Sequence, residues 1–197
     1  MTINRQPDNM GFGKPIPLPD ISLDLEASRT ELQRLMTLAK VQHFTSKEFG
    51  KHHRRDWVGP SEILPVDVAI MLPVIVLADL IRTRLSKKIN IGSSFRVADY
   101  NVKEGQSPRS KHLWATALDL SSPAGVPVLT KAIEQLVNPE FLPITRCQII
   151  ERVRMAGIEI VDEEDLRIGW GVYQSFVHVD VTQNGQAFAR PRTLRYQ

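Results

Sequence analysis

Four residues in this 197-residue chain have the types and spacing that metal chemistry needs: His112, Asp119, His178 and Asp180. His178 and Asp180 stand in "SFVHVDV", where a strand sends positions i and i+2 to the same face. His112 precedes Asp119 by seven in "SKHLWATALDL", a gap that a loop entering a strand can close around an ion. Two imidazoles and one carboxylate are the protein ligands of a catalytic zinc site, which keeps its fourth position open. A structural reading competes: a histidine between Val177 and Val179 also satisfies its nitrogens as a hydrogen-bonded core residue. Spacing alone leaves open whether the two segments meet.

The elements that must position these residues read as an α+β fold. Residues 1–23 carry Pro7, Pro15, Pro17 and Pro19 among polar residues and predict an extended arm; residues 24–197 predict a single domain. "SRTE" (Ser28 to Glu31) has the form of a capping box ahead of Leu32, Leu35, Met36 and Ala39 on one helical face. Pro65 to Leu85 reads as a buried helix, with Pro73 at the first turn of a second helix or at a kink. "INIGSSF" predicts a strand, and "VPVLTKAIEQLV" and "TRCQIIERVRMAG" predict helices, the second stopped at Gly157. "GIEIV", "GWGVY" and "SFVHVDV" predict a β-rich C-terminal half. The expected result is a small antiparallel sheet carrying the metal site, packed against helices.

Composition excludes more than it assigns. Apolar residues make up 42% and charged residues 24%, ordinary for a globular chain. The net charge of +3 is small for a nucleic-acid binder, and no nucleic-acid motif accompanies "KHHRR" (Lys51 to Arg55) or Arg190, Arg192 and Arg195. These basic residues, with His52 and His53, read as surface. The only cysteine, Cys147, excludes an internal disulfide and is expected in buried packing. The run "ILPVDVAIMLPVIVLADLI" contains Asp67 and Asp79, so no membrane span is expected. No apolar h-region follows the first residues, so no secretory signal is expected.

"SKHLWATALDL" resembles the Ser-x-His-x-x-Gly-x-Ala-x-Asp signature of the zinc D-alanyl-D-alanine carboxypeptidase family, peptidoglycan peptidases akin to hedgehog-type domains. "FVHVDV" resembles its second signature, His-x-Asp. "FTSKEF", "SSFRVADYN" and "GWGVY" are similar to further ordered segments, so the resemblance spans about residues 44–195. It implies His112, Asp119 and His178 as ligands of Zn2+, and Arg96 as the arginine that holds a substrate carboxylate or a developing oxyanion; a structural ion pair is the other reading of Arg96. Ser110 would support a ligand imidazole or serve as a turn serine. Trp114 and Tyr173 would line a peptide cleft or pack in the core. Two departures stand out. Ala115 occupies a glycine position, which matters if the backbone there needs a positive φ. Ser175 and Phe176 occupy places where relatives carry a basic or acidic side chain, which leaves Asp180 either as general base or as the partner that orients His178.

The activity this implies is a zinc peptidase cutting amide bonds in peptidoglycan stem peptides or cross-links. With no export signal expected, the simplest source is a phage product, released at lysis or carried in the virion, with the N-terminal arm docking other virion proteins. The alternative is a non-catalytic structural or assembly module that keeps the fold; nucleic-acid binding ranks last.

Overall fold

The computed structural model describes residues 19–52, 59–103, 105–107, 110–159, 166–182 and 194–195. Helix α1 (Leu25–Leu38), α2 (Leu72–Leu85), strand β1 (Asn90–Ser93), α3 (Ala98–Lys103), β2 (Ala117–Ser121), α4 (Val126–Val137), α5 (Leu142–Met155), β3 (Arg167–Val172), β4 (Val177–Thr182) and the two-residue β5 (Leu194–Arg195) follow in that order. The sheet order is β1-β2-β4-β3-β5. The first three pairings are antiparallel, and β5 adds to β3 in parallel. The class is α+β, as expected.

The strands owe their two-sidedness to alternation. Leu118 and Leu120 in β2, with Val177, Val179 and Val181 in β4, are all buried and face the helices. One core joins them to Ile75, Leu77 and Ile81 of α2, Leu129 and Ile133 of α4, and Ile149, Ile150 and Val153 of α5. Each large aliphatic side chain buried there contributes about 1.5–3 kcal/mol. The opposite face of the same strands is thereby free to carry polar residues.

Helix α2 is buried nearly all round, with Pro73 in its first turn, where a missing N–H costs nothing. It even buries an acid. Asp79 accepts from the backbone N–H groups of Gln42 (3.0 Å) and His43 (2.9 Å), and its other oxygen pairs with Arg152 of α5 at 2.8 Å. Arg152 also donates to the carbonyls of Ala39 and Lys40, so one buried ion pair ties α1, α2 and α5 together.

Several expectations are corrected. Helix α1 starts a turn before the Ser28–Glu31 box, because Asp24 caps it by accepting from Ala27 N–H at 2.9 Å. Ser28 instead donates to Ser22 Oγ, and Glu31 is held by Arg34. Gly157 ends α5 as expected, but Gly157–Glu159 are not strand; Ile160 and Val161 lie outside the described residues. Cys147 is exposed, since α5 buries Thr145, Ile149, Ile150 and Val153 and turns Cys147 away. His52 is buried, edge-on to Tyr100 with ring centroids 4.3 Å apart, while His53–Arg55, Arg190 and Arg192 lie outside the described residues. Of the expected arm, residues 1–18 lie outside them too; Ile21 bridges antiparallel to Pro65. Among the described residues, no helix is long and apolar enough to cross a membrane.

Candidate metal centre

The sheet register assembles the site. Ser93, Asp119, His178 and Gly171 are successive cross-strand partners on β1, β2, β4 and β3, so all four share one face. The next row on that face is Ala117, Asp180 and Gly169. Alternation that buries Val177, Val179 and Val181 therefore delivers His178 and Asp180 to the outer face beside Asp119.

His112 arrives from a different element, a 3-10 turn over Lys111–Trp114. The turn closes through Ala115 N–H donating to the His112 carbonyl, with Ala115 in the left-handed region at φ +57°. The conformation a glycine would adopt freely is thus present with alanine in place. Arg96 N–H donates to the same carbonyl at 3.0 Å, which seats the turn against residues 93–96.

The three ligand atoms converge. His112 Nε2 lies 3.1 Å and His178 Nδ1 3.0 Å from Asp119 Oδ1, and the set falls within 4.8 Å. His112 Nδ1–H donates to the Ser94 carbonyl at 2.5 Å. Because a carbonyl only accepts, that bond fixes the tautomer and leaves Nε2 with a lone pair for a cation. The donor set and its orientation fit a divalent metal with open positions.

Charge is distributed unevenly around it. Burial pushes the pKa of His112 down, despite Asp119. Burial alone would raise Asp119, but the imidazoles beside Oδ1, with His178 donating from Nδ1, outweigh it and hold the carboxyl well below the usual range. His178 lies between two carboxylates, Asp119 and Asp180, the second with Oδ2 3.7 Å from Nε2; against the opposing effect of burial they raise its pKa to about 9. Burial lowers Lys111 to about 7, while Asp180 pulls the other way.

Arg96 is buried, with Nη2 2.7 Å from Asp119 Oδ2 and Nε donating to Ser93 Oγ at 2.8 Å. The guanidinium thus engages the carboxylate oxygen turned away from the imidazoles. Ser110 precedes the 3-10 turn, and its side chain makes no capping bond. Trp114 is half-buried within that turn. Tyr173 is exposed at the β3–β4 hairpin tip, stacked on Phe176 at 4.4 Å. Sequence reasoning missed the Ser94 carbonyl, the Ser93 hydroxyl, Lys111 and Gly169. Only Gly169 carried a usable signal, a glycine inside a strand pattern.

The family model for Peptidase M15 matches residues 42–140, about half of the chain. The matched span contains Arg96, His112 and Asp119, and the fold brings His178 and Asp180 to them from beyond it. No curated protein and no solved structure matches the chain. With the family match covering half its length and two of the three converging ligands, the chain belongs to the peptidase M15 family of metal-dependent peptidases.

Proposed function

We propose that the chain is a zinc-dependent peptidase of the D-Ala-D-Ala carboxypeptidase/endopeptidase type, hydrolysing amide bonds in peptidoglycan stem peptides or cross-links. The observation that carries this reading is the convergence of His112 Nε2, Asp119 Oδ1 and His178 Nδ1 within 4.8 Å in a peptidase-family chain. A donor set of two imidazoles and one carboxylate suits zinc. When bound, such an ion polarises a scissile carbonyl and lowers the pKa of water to about 7.

The chain's own residues supply the rest. Ser94 holds His112 in the tautomer that offers Nε2, and Arg96 holds Asp119 by its outer oxygen. Asp180 Oδ2 lies 3.7 Å from His178 Nε2, an ion-pair contact on the far side of the ring from the Nδ1 that faces Asp119. It is also the carboxylate on this face to which attacking water can lose its proton, for return to the leaving amine. Gly169, Gly171 and Ala117 flank these groups on the same face and put no bulk over them, which suits an extended peptide.

A peptidoglycan substrate sets the place of action at the cell wall. Delivery by a phage, at lysis or from the virion with the N-terminal arm docked to other virion proteins, completes the proposal. The test is incubation of Zn2+-loaded protein with defined stem peptides ending in D-Ala-D-Ala and with cross-linked dimers, read by mass spectrometry. Loss of a terminal residue identifies a carboxypeptidase, and halved dimers an endopeptidase. Intact substrates from metal-loaded protein would move the function to a non-catalytic assembly module.

A further inference from the structure

We propose that Gly169 is a positioning residue: its missing side chain is the space in which the Asp180 carboxylate lies, and through Asp180 it sets the orientation of His178. Gly169 and Asp180 are direct partners across β3 and β4. A methyl group at Gly169 would overlap Asp180 Oδ2 and stand 2.9 Å from both Cγ and Oδ1. The carboxylate therefore lies across β3 where any other residue would project its Cβ. From there Oδ2 reaches to 3.7 Å of His178 Nε2.

The neighbouring glycine makes the comparison. Gly171 partners His178 in the same way, yet a methyl there would meet only Tyr173 Cε2, at an ordinary 3.8 Å. Two glycines in one strand thus differ: one is filled by a functional carboxylate and the other faces room. Closing the space at Gly169 forces Asp180 into another rotamer and releases the far side of the His178 ring. Loss of such an outer partner costs a ligand histidine about 10–100-fold in metal affinity.

The inference rests on the metallopeptidase reading for its metal consequence, and on sterics alone for the contact itself. The experiment is a double-variant cycle of Gly169→Ala and Asp180→Ala in the full chain, with Gly171→Ala as control, measuring Zn2+ affinity and metal-free melting temperature. Gly169→Ala should lose about 10–100-fold in Zn2+ affinity, Gly171→Ala should stay within a few-fold, and Gly169→Ala/Asp180→Ala should bind no worse than Asp180→Ala alone. Without metal, Asp180→Ala should raise the melting temperature of Gly169→Ala, because it removes the overlapping group. Unchanged affinity in Gly169→Ala, losses that multiply in the double variant, or no recovery of melting temperature would each overturn the inference. If Gly169→Ala does not fold, the double variant must, and its failure to fold overturns the proposal as well. Absence of Zn2+ binding by the wild type would sink the metal reading, while the melting-temperature cycle would still decide the role of Gly169.

Discussion

Loading the metal-free protein with Zn2+ at pH 6.5 should release close to one proton per ion, and that proton comes from His178. Each ligand contributes separately to the count. His112 is already neutral, because burial lowers its pKa, and its one proton stays on Nδ1 against the Ser94 carbonyl. Asp119 is already ionised, since both imidazoles hold its carboxyl far below its usual range against the pull of burial. His178 alone carries an extra proton, its pKa raised to about 9 by Asp119 and Asp180 against the cost of burial. A cation reaching Nδ1 must displace that proton, so apparent affinity should rise about ten-fold per pH unit from pH 6.5 upward until His178 itself loses its proton. The sign for stability is opposite. A folded pKa raised above the ordinary value of 6.5 gives the metal-free protein stability that is full below pH 6.5 and lost as pH rises through about 9. Titration calorimetry in two buffers of different ionisation enthalpy counts the proton directly. Lys111, coupled to the same Asp180 and lowered to about 7, also titrates near this pH, so the count in Lys111→Met isolates the proton of His178. No proton released would mean that His178 is neutral before binding. Two would mean that His112 is also charged before binding, with a second proton on Nε2 while Nδ1–H stays on the Ser94 carbonyl.

Three further outcomes follow from the packing around the site. Arg96→Met strips the outer oxygen of buried Asp119 of its partner, which should cost about 3–5 kcal/mol by denaturant melts and about 10–100-fold in Zn2+ affinity; Arg96→Lys should not restore either, because an ammonium cannot span Asp119 and Ser93 as the fork does. Asp79→Ala leaves the Arg152 charge without its carboxylate and two backbone N–H groups without their acceptor, and should cost about 3–5 kcal/mol, a fall of about 6–20 °C in Tm; a loss below about 1 kcal/mol, as for a solvated pair, would contradict this. Ala115→Gly should stay within about 1 kcal/mol of wild type, since relief of about 1–2 kcal/mol of left-handed strain is offset by a lost buried methyl and added chain entropy. Ala115→Val should be clearly destabilised, because a β-branched residue tolerates that region worse.

Much of the site was legible because it is written in side chains. His178 and Asp180 share a face by strand alternation, a property of the sequence itself. His112 and Asp119 were findable by type and spacing, but their meeting with His178 depends on β2 pairing with β4, a long-range register that no local pattern encodes. The helices at Val126–Val137 and Leu142–Met155 declared themselves by apolar periodicity. The start of α1 did not, because Ser22, Asp24 and Arg34 compete for the groups that a Ser28–Glu31 box would have used. Cys147 and His52 were misplaced for a related reason. Residue type sets a tendency to be buried, whereas the face of α5 and the edge-on contact with Tyr100 decide it. The Ser94 carbonyl was invisible, as backbone acceptors have no sequence signature.

If His112, Asp119 and His178 form the working centre of a wall peptidase, amine release from purified peptidoglycan should depend on the metal and on each ligand. The assay compares wild type stripped of metal, wild type restored with Zn2+, and Zn2+-treated His178→Ala, each checked for folding. Release is expected from the restored protein, with none from the stripped protein and none from His178→Ala. Equal release by stripped and restored protein, or undiminished release by His178→Ala, would contradict that dependence.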